Sequence, residues 1–559
     1  MARQRNTRAD PATGSLDGAS PHDSLLLTRR ELLVVAAAAT VAACAPQAAA
    51  PAKPTATPRP FALGRPATLS ADGTVPATLA ALIAQRMAGL AGIPSVAPGP
   101  AAASSADFAL TFGAVPSGYT GVAVGASPAI VISNLRVPVD GVSANQVKGL
   151  LGGGVTDWRG VGAPYSLGVQ VLALAGLPIP QGVTLAPGTE TVGKADDLVH
   201  AVRSRPDSLA LVPLEAADWT VRNVGVDNYF PAQGRGDAGS AALAPFTLTL
   251  GVRQSLIKQG LDTHALAAGL ASTLATATGI VDMAVVGDIM LGRTVNTIMV
   301  ARNDYLYPYR QTHDELQSAD LRIANLECTV TDLAPIPTDP MTFTFVSRKK
   351  AIDGLVYTGF NVLTVANNHA NGPGPAAYLD MIDSLRARGI ATCGGGKNLA
   401  AARQPAVVTV KGVRVAVLGY DSIVPQGPYA TDTSTGIAPV DLATLPQDIA
   451  AARAQADIVL PYFHWGHEYE NVPARVNQQQ VARAAIDAGA DVVLGNHPHW
   501  IQGIETYKGR LIIYSFGNFI FDQDWSRPTL EGMILHLYWR GTTLTSVRWV
   551  PVIDENRCQ

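Results

Sequence analysis

The stretch "DVVLGNHPHW", Asp491 to Trp500, decides how the chain is read. Asp491 to Leu494, followed by Gly495, has the make-up of a buried strand running into a turn, and His497 and His499 stand in that turn one residue apart. A strand ending in Gly-Asn-His-Pro-His is polar for a core, so the two imidazoles ask for a partner.

The same pattern recurs upstream. "DMAVVGDIML" sets Asp288 at a strand exit and "LRIANLECTV" sets Asn325 and Glu327 at the next. "FNVLTVANNHA" carries Asn367, Asn368 and His369, and "ADIVLPYFHWGHEY" carries His464. Each polar group lies at the carboxyl end of its strand, the edge at which open α/β sheets form their ligand crevice. Taken singly, Asp288 reads as a helix cap, "ANNHA" as a polar turn and each histidine as hydrogen-bonded core. Five such strand ends together read as one site. His467, three residues after His464, reads as a loop surface residue more readily than as a ligand.

The donors are two carboxylates, an amide and four imidazoles, with no thiolate. That set suits Zn, Mn or Fe as one ion or a bridged pair, with Glu327 able to span two ions. Two ions held close together bind a phosphate ester and lower the pKa of a bridging water.

The chain has 559 residues, 47% hydrophobic and 15% charged, enough for more than one core. A formal net charge of -3 and the lack of a Lys/Arg block argue against nucleic acid as a partner. Four cysteines, Cys44, Cys328, Cys393 and Cys558, are too few and too far apart for a disulfide framework or a Cys-x-x-Cys pair. Cys328 and Cys393 read as small core residues. The three glycines after Cys393 mark a flexible turn, or a phosphate cradle that lacks the flanking P-loop pattern.

Residues 1–44 read as an export leader. "TRRELLVVAAAATVAAC" has two arginines and an apolar run from Leu32 to Ala43, too short to span a bilayer at about 20 residues per crossing and suited to a secretory signal. Thr28-Arg29-Arg30 with Leu32-Leu33 resembles the twin-arginine export motif, and Val41-Ala42-Ala43-Cys44 resembles a lipobox. The resemblance implies that Cys44 is lipidated and that the mature protein is anchored to the outer face of the cell membrane. An uncleaved apolar helix is the alternative. Residues 45–62 are Ala/Pro-rich and read as an extended tether.

Residues 63–256 alternate short apolar strands with Ala-rich helices and predict an α/β domain. "PVDGVSANQVKGLLGGGVTDWRGVG" and "DSLALVPLEAAD" resemble periplasmic phosphate-binding-type proteins. The phosphate-cradling loops of those proteins are not evident, "APGTETVGKADD" being the nearest stretch, so an accessory scaffold is an equal reading. Residues 257–280 read as a helical link, and residues 281–559 form the second domain.

In that domain "GDIML", "ANLE", "ANNHA", "HWGHEY", "GNHPH" and "YSFGNFIFD" follow in the order of the CapA family of bacterial capsule (poly-γ-glutamate) synthesis proteins, a branch of the calcineurin-like metallophosphoesterases. The resemblance covers about residues 282–525. It implies a four-layered αββα sandwich, and "AVVTVKGVRVAVLGY" and "IETYKGRLIIYSFGNF", each turning at Lys-Gly, read as hairpins consistent with it. It further implies Asp288, Glu327, Asn368, His464, His497 and His499 as metal ligands. Glu327, Asn368, His464 and His497 would serve one ion, Asp288, Glu327 and His499 the other. His369 would be the catalytic histidine that stabilises developing charge. The sequence departs from the superfamily at Met290, which stands where its first motif has a histidine. Asn518 and Asp522 read as strand-edge hydrogen-bonding residues.

The expected function is capsule or poly-γ-glutamate synthesis or export, with metal-dependent hydrolysis of a phosphate ester as the chemistry. Expected partners are a cell-surface anionic polymer and capsule synthase membrane subunits. A non-catalytic polymer-binding or scaffolding subunit on the same fold is the second reading.

Overall fold

Two Lys-Gly hairpins set the edges of the sheet that carries the site. Strands Ala406–Val410 and Val413–Asp421 pair antiparallel about Lys411 and Gly412, whose φ values are 47° and 82°. Ile504–Tyr507 and Arg510–Ile513 pair about Lys508 and Gly509, at 50° and 75°. Two consecutive left-handed residues give the tight turn that matches strand twist.

The computed structural model describes residues 61–99, 105–237, 243–276, 279–339, 341–425 and 427–554. The leader, Cys44, nearly all of the tether and Cys558 lie outside these residues. No helix among the described residues is long and apolar enough to cross a membrane.

The second half is built on two sheets. One has seven strands in the order Ala391–Cys393, Val362–Thr364, Leu321–Leu326, Ile280–Ile289, Glu531–Arg540, Thr543–Ile553, with Asn518–Ile520 also paired to Ile280–Ile289. The other has six, from Ala406–Val410 through Val413–Asp421, Ile458–His464, Val492–Asn496 and Arg510–Ile513 to Ile504–Tyr507. The strands alternate their apolar side chains between two cores, as a pleat with both faces covered must. Val281, Met283 and Val285 of the first sheet meet Val415, Leu460 and Leu494 of the second in one buried cluster. On the outer face of the first sheet Val286 and Ala324 pack with Val295, Leu355 and Met381 of its helices; on that of the second, Ala416 and Val493 pack with Ile449 and Ala485. Helix, sheet, sheet, helix is the four-layered α/β architecture expected.

The first half carries two further sheets, of five and six strands, around its own core. Ser143 and Gln146 form a capping box on the helix Ala144–Leu151, and Asp157 caps the turn at Trp158. The segment read as a link, residues 257–280, takes in the end of the helix Gln254–Lys258 and the whole helix Thr263–Thr276, and Leu261, Leu266 and Leu270 are buried in the first core. It is part of that core because its leucines recur at helical spacing. The halves also join: Trp219 is buried in the inter-sheet cluster of the second half, Asn223 Nδ2 donates to Thr545 O at 3.1 Å, and Thr545 Oγ1 donates to Ala232 O at 2.9 Å.

The glycines after Cys393 form no open cradle. A Cβ on Gly395 would lie 1.9 Å from Tyr378 Oη, and Gly395–Gly396 pairs with Gly436–Ile437, so the run is packed backbone. Burial pushes the Cys328 and Cys393 thiols up to about 12, leaving both as inert core residues.

Candidate metal centre

The strand ends converge because the registers align them. Asp288 is opposite Asn325 on one neighbour and Asn518 on the other, and His464 is opposite Asn496 in the second sheet. Glu327 follows the strand Leu321–Leu326 directly, and Asn368 and His369 lie in the loop after Val362–Thr364. All seven expected site residues, Asp288, Glu327, Asn368, His369, His464, His497 and His499, are buried. His497 and His499 hold φ at 98° and 58°. Such left-handed conformations cost a non-glycine residue about 1–3 kcal/mol each and persist where the surroundings impose them.

Around His464 Nε2 lie Asn368 Oδ1 at 2.8 Å, His497 Nδ1 at 3.2 Å and Glu327 Oε1 at 3.9 Å. Glu327 Oε1 is also 3.8 Å from His499 Nε2 and 3.8 Å from His369 Nε2. Two ligand atoms each about 2.1 Å from one ion lie roughly 2.8–4 Å apart for bond angles between about 85° and 140°, the range seen here. No N–H or hydroxyl among the described residues donates to either Glu327 oxygen, although the side chain is fully buried; what it meets is the Asp288 carboxyl, with which it can share a proton. A buried carboxylate is ordinarily paired or bound to a metal. The donor set therefore fits a divalent cation.

The electrostatics say the same. Burial, with the Asp288 carboxylate beside it, holds the Glu327 pKa well above its ordinary value. Burial pushes Asp288 up to about 6 against hydrogen bonds from the Asn325 side chain and the His497 amide. Burial, reinforced by neighbouring imidazoles, drives His464 and His497 well below the usual range, and burial takes His499 down to about 3 and His369 to about 4. Neutral imidazoles around reluctant carboxylates form a ligand shell that a cation would relieve.

Neighbouring groups fix the ligands. Asn518 Nδ2 donates to Gln523 Oε1 and Thr529 O, so its Oδ1 accepts, and His499 Nδ1–H donates to it at 2.9 Å. That hydrogen bond turns His499 Nε2 toward Glu327, an outer-shell role that sequence reasoning missed at Asn518. His369 Nδ1–H donates to Phe343 O at 2.8 Å, leaving Nε2 as the acceptor from Asn368 Nδ2 at 3.0 Å. Asn325 Nδ2 donates to Asp288 Oδ1 at 2.7 Å, and Asn367 Nδ2 donates to Asn325 Oδ1 at 3.0 Å, so the two asparagines orient the carboxylate.

Met290 is fully buried in the core that packs on the first sheet, and its thioether accepts the Gly292 N–H, so position 290 points away from the ligands. His467 is exposed. A cleft of about 460 Å³ is lined by His369 and His499 together with Arg293, Glu468, Tyr469 and Trp525. Arg293 is paired with Asp522 and lies over the ring of Phe345, which gives Asp522 a structural partner as well as the Thr294 N–H.

The family model of the Bacterial capsule synthesis protein PGA_cap matches residues 282–523. Over 272 residues the chain is 33% identical to the "Capsule biosynthesis protein CapA" of Bacillus anthracis, covering 47% of this chain and 66% of that protein. Over 260 residues it is 34% identical to the "PGA biosynthesis protein CapA" of Bacillus subtilis (strain 168), covering 46% of this chain and 68% of that protein. The chain thus spans about two thirds of the length of these relatives. The crystal structure of an ABC-type phosphate transport receptor from Vibrio cholerae, at 16% identity, covers 38% of this chain and 96% of its own with a TM-score of 0.27, too loose a likeness to carry an inference. With the ordered motifs, the four layers and these identities together, the chain belongs to the family of the bacterial capsule synthesis protein PGA_cap.

Proposed function

We propose that the protein acts in the synthesis or export of a cell-surface polymer of the capsule or poly-γ-glutamate kind, and that it hydrolyses a phosphate ester at a divalent metal centre. The observation that carries the chemistry is Glu327: a fully buried carboxyl that no N–H or hydroxyl among the described residues donates to, set against the Asp288 carboxyl and faced by three imidazole nitrogens at 3.8–3.9 Å. Glu327, Asn368, His464 and His497 would hold one ion, and Asp288 and His499 complete the shell, with Mn, Fe or Zn suited to these donors. A bound cation would supply Lewis-acid polarisation of a phosphoryl oxygen and an acidified water.

The chain's own groups do the rest. Asn518 and Asn325 orient His499 and Asp288, and the walls of the cleft exclude bulk water from them. His369 sits at the cleft with Nδ1–H held by Phe343 O and Nε2 accepting the Asn368 N–H, so it orients the Asn368 amide and, once protonated, would steady charge developing on a reacting oxygen.

The export leader and Cys44 support a protein anchored outside the cytoplasmic membrane, where polymer and synthase membrane subunits would be its partners. Met290, packed in the core, favours a second reading in which the fold binds or scaffolds the polymer without turnover.

The test is elemental analysis of the full chain purified without chelators, paired with hydrolysis of a chromogenic phosphate ester by wild type and His497→Ala. Bound divalent metal and a turnover abolished in the variant are expected. No metal, with equal rates in both proteins, would sink the enzyme reading. Release from the membrane fraction in Cys44→Ser is expected for the anchor, and retention would refute it.

A further inference from the structure

The loop after His464 brings an unassigned carboxylate to the site. In "HWGHEY" the strand ends at His464, and Gly466 turns with φ of 91°, its Cα facing the Gln478 side chain at a distance that leaves no room for a Cβ. Trp465 N–H donates to Asn496 O at 3.0 Å and Tyr469 N–H to Pro498 O at 2.8 Å, so this loop is laced to the backbone on either side of His497. Gln502 Nε2 adds a bond to Glu470 O at 2.9 Å and accepts support in turn from Gln478. The lacing sets Glu468 beside the two histidines: one Glu468 oxygen and one ring nitrogen each of His497 and His499 lie within 4.8 Å of one another. Asp288, Glu327 and His464 form a second group with the same spread. The two groups share no residue.

We infer that Glu468 is a metal ligand, joining His497 and His499 around a second cation and replacing the donor that position 290 does not offer. The inference rests on the cation reading above and adds to it a ligand and a different division of the shell. Asp288, Glu327 and His464, with Asn368 Oδ1 at 2.8 Å from His464 Nε2, make one set, and Glu468, His497 and His499 make the other. Glu327 Oε1, 3.8 Å from His499 Nε2, lies between them as the bridge. The three ligand atoms lie within 4.8 Å of one another, and two ligand atoms about 2.1 Å from one ion can span at most roughly 4.2 Å, so any closing needed is less than about 1 Å. Glu468 is exposed, and its rotamers can close the difference, whereas the buried histidines cannot move. One mobile carboxylate on a cleft wall gives the second ion an entry path that the buried set lacks.

The test uses the full chain, stripped with chelator and titrated with Mn²⁺, read by elemental analysis and by the paramagnetic resonance of the bound ion. Wild type is expected to take two ions and show a coupled pair. Glu468→Gln should keep one ion with an isolated-ion signal, the second being weakened at least about tenfold, since even outer-shell changes cost 10–100-fold. Glu468→Asp should restore part of the loss, and His467→Gln should leave both ions in place. Because Glu468 is exposed, the fold is expected to survive, which circular dichroism checks. Two ions of unchanged affinity in Glu468→Gln would overturn the inference and leave the cation reading standing. Wild type that takes no ion overturns both.

Discussion

Replacing Glu327 by glutamine is expected to act in opposite directions on the metal-free and the cation-loaded protein. The carboxyl is fully buried, and its pKa lies well above 4.5 because of burial first and the Asp288 charge second. A carboxyl with a raised folded pKa binds its proton more tightly in the native state than in the unfolded one. It therefore costs stability above about pH 4.5, and the cost grows as pH rises toward the folded pKa. The native group can always take up the proton that the unfolded one has released, which caps the cost at pH 7.5 at about 4 kcal/mol, three pH units at roughly 1.36 kcal/mol each. The amide carries no such penalty, but burying it unpaired costs about 1–3 kcal/mol. The variant should thus be more stable than wild type in chelator at pH 7.5, by at most about 1–3 kcal/mol. Near pH 5 the cap falls below about 1 kcal/mol and the advantage disappears or reverses. Denaturation followed by tryptophan fluorescence reads this, each kcal/mol being worth roughly 1 °C in a cooperative unit of about 500 residues at about 2.1 cal/mol/K per residue. Adding Mn²⁺ should stabilise wild type, leave the variant almost unmoved and reverse their order. A variant less stable than wild type in chelator at both pH values would refute the reasoning.

Three further outcomes follow from the same geometry. Asn518→Leu, which frees His499 Nδ1, should weaken cation binding about 10–100-fold with the fold intact, measured by competition with a chelating dye. Cation uptake by the metal-free protein should fall more steeply below about pH 6, because Asp288, pushed up to about 6, must then lose a proton to bind in addition to Glu327, which is held well above its ordinary value; in Asp288→Asn the fall there should be shallower by about tenfold per pH unit. Arg293→Ala strands Asp522, whose side chain is only 4% exposed, and should cost about 3–5 kcal/mol in denaturation. Removing both partners together should cost less than removing the arginine alone.

Much of the site was legible because its residues sit at strand ends, where short continuous apolar runs stop at a polar residue. Asp288, Glu327, His464 and His497 are all of this kind, and the structure brings them together. The hairpins were legible from Lys-Gly, since glycine supplies one of the two left-handed positions such turns need. Glu468 escaped because it lies on a loop whose course is set by backbone bonds to residues some 30 positions away, and no local pattern encodes those. Asn518 escaped for a related reason: its role depends on which of its two amide atoms faces His499, and the Gln523 and Thr529 acceptors decide that. Leu266 and Leu270 had the spacing of a buried helical face, but an Ala-rich helix between two domains reads as a connector until its packing partner is known.

The seam between the halves bears on how the molecule comes apart. Thr545 sits on the last strand of the second half and yet donates to a carbonyl of the first, while Trp219 from the first fills space among strands of the second. A chain severed between residues 260 and 280 would leave Thr545 O without its amide donor and a tryptophan-sized hollow in the inter-sheet layer. The isolated second half is thus a damaged molecule, and melting should engage both halves as one cooperative unit.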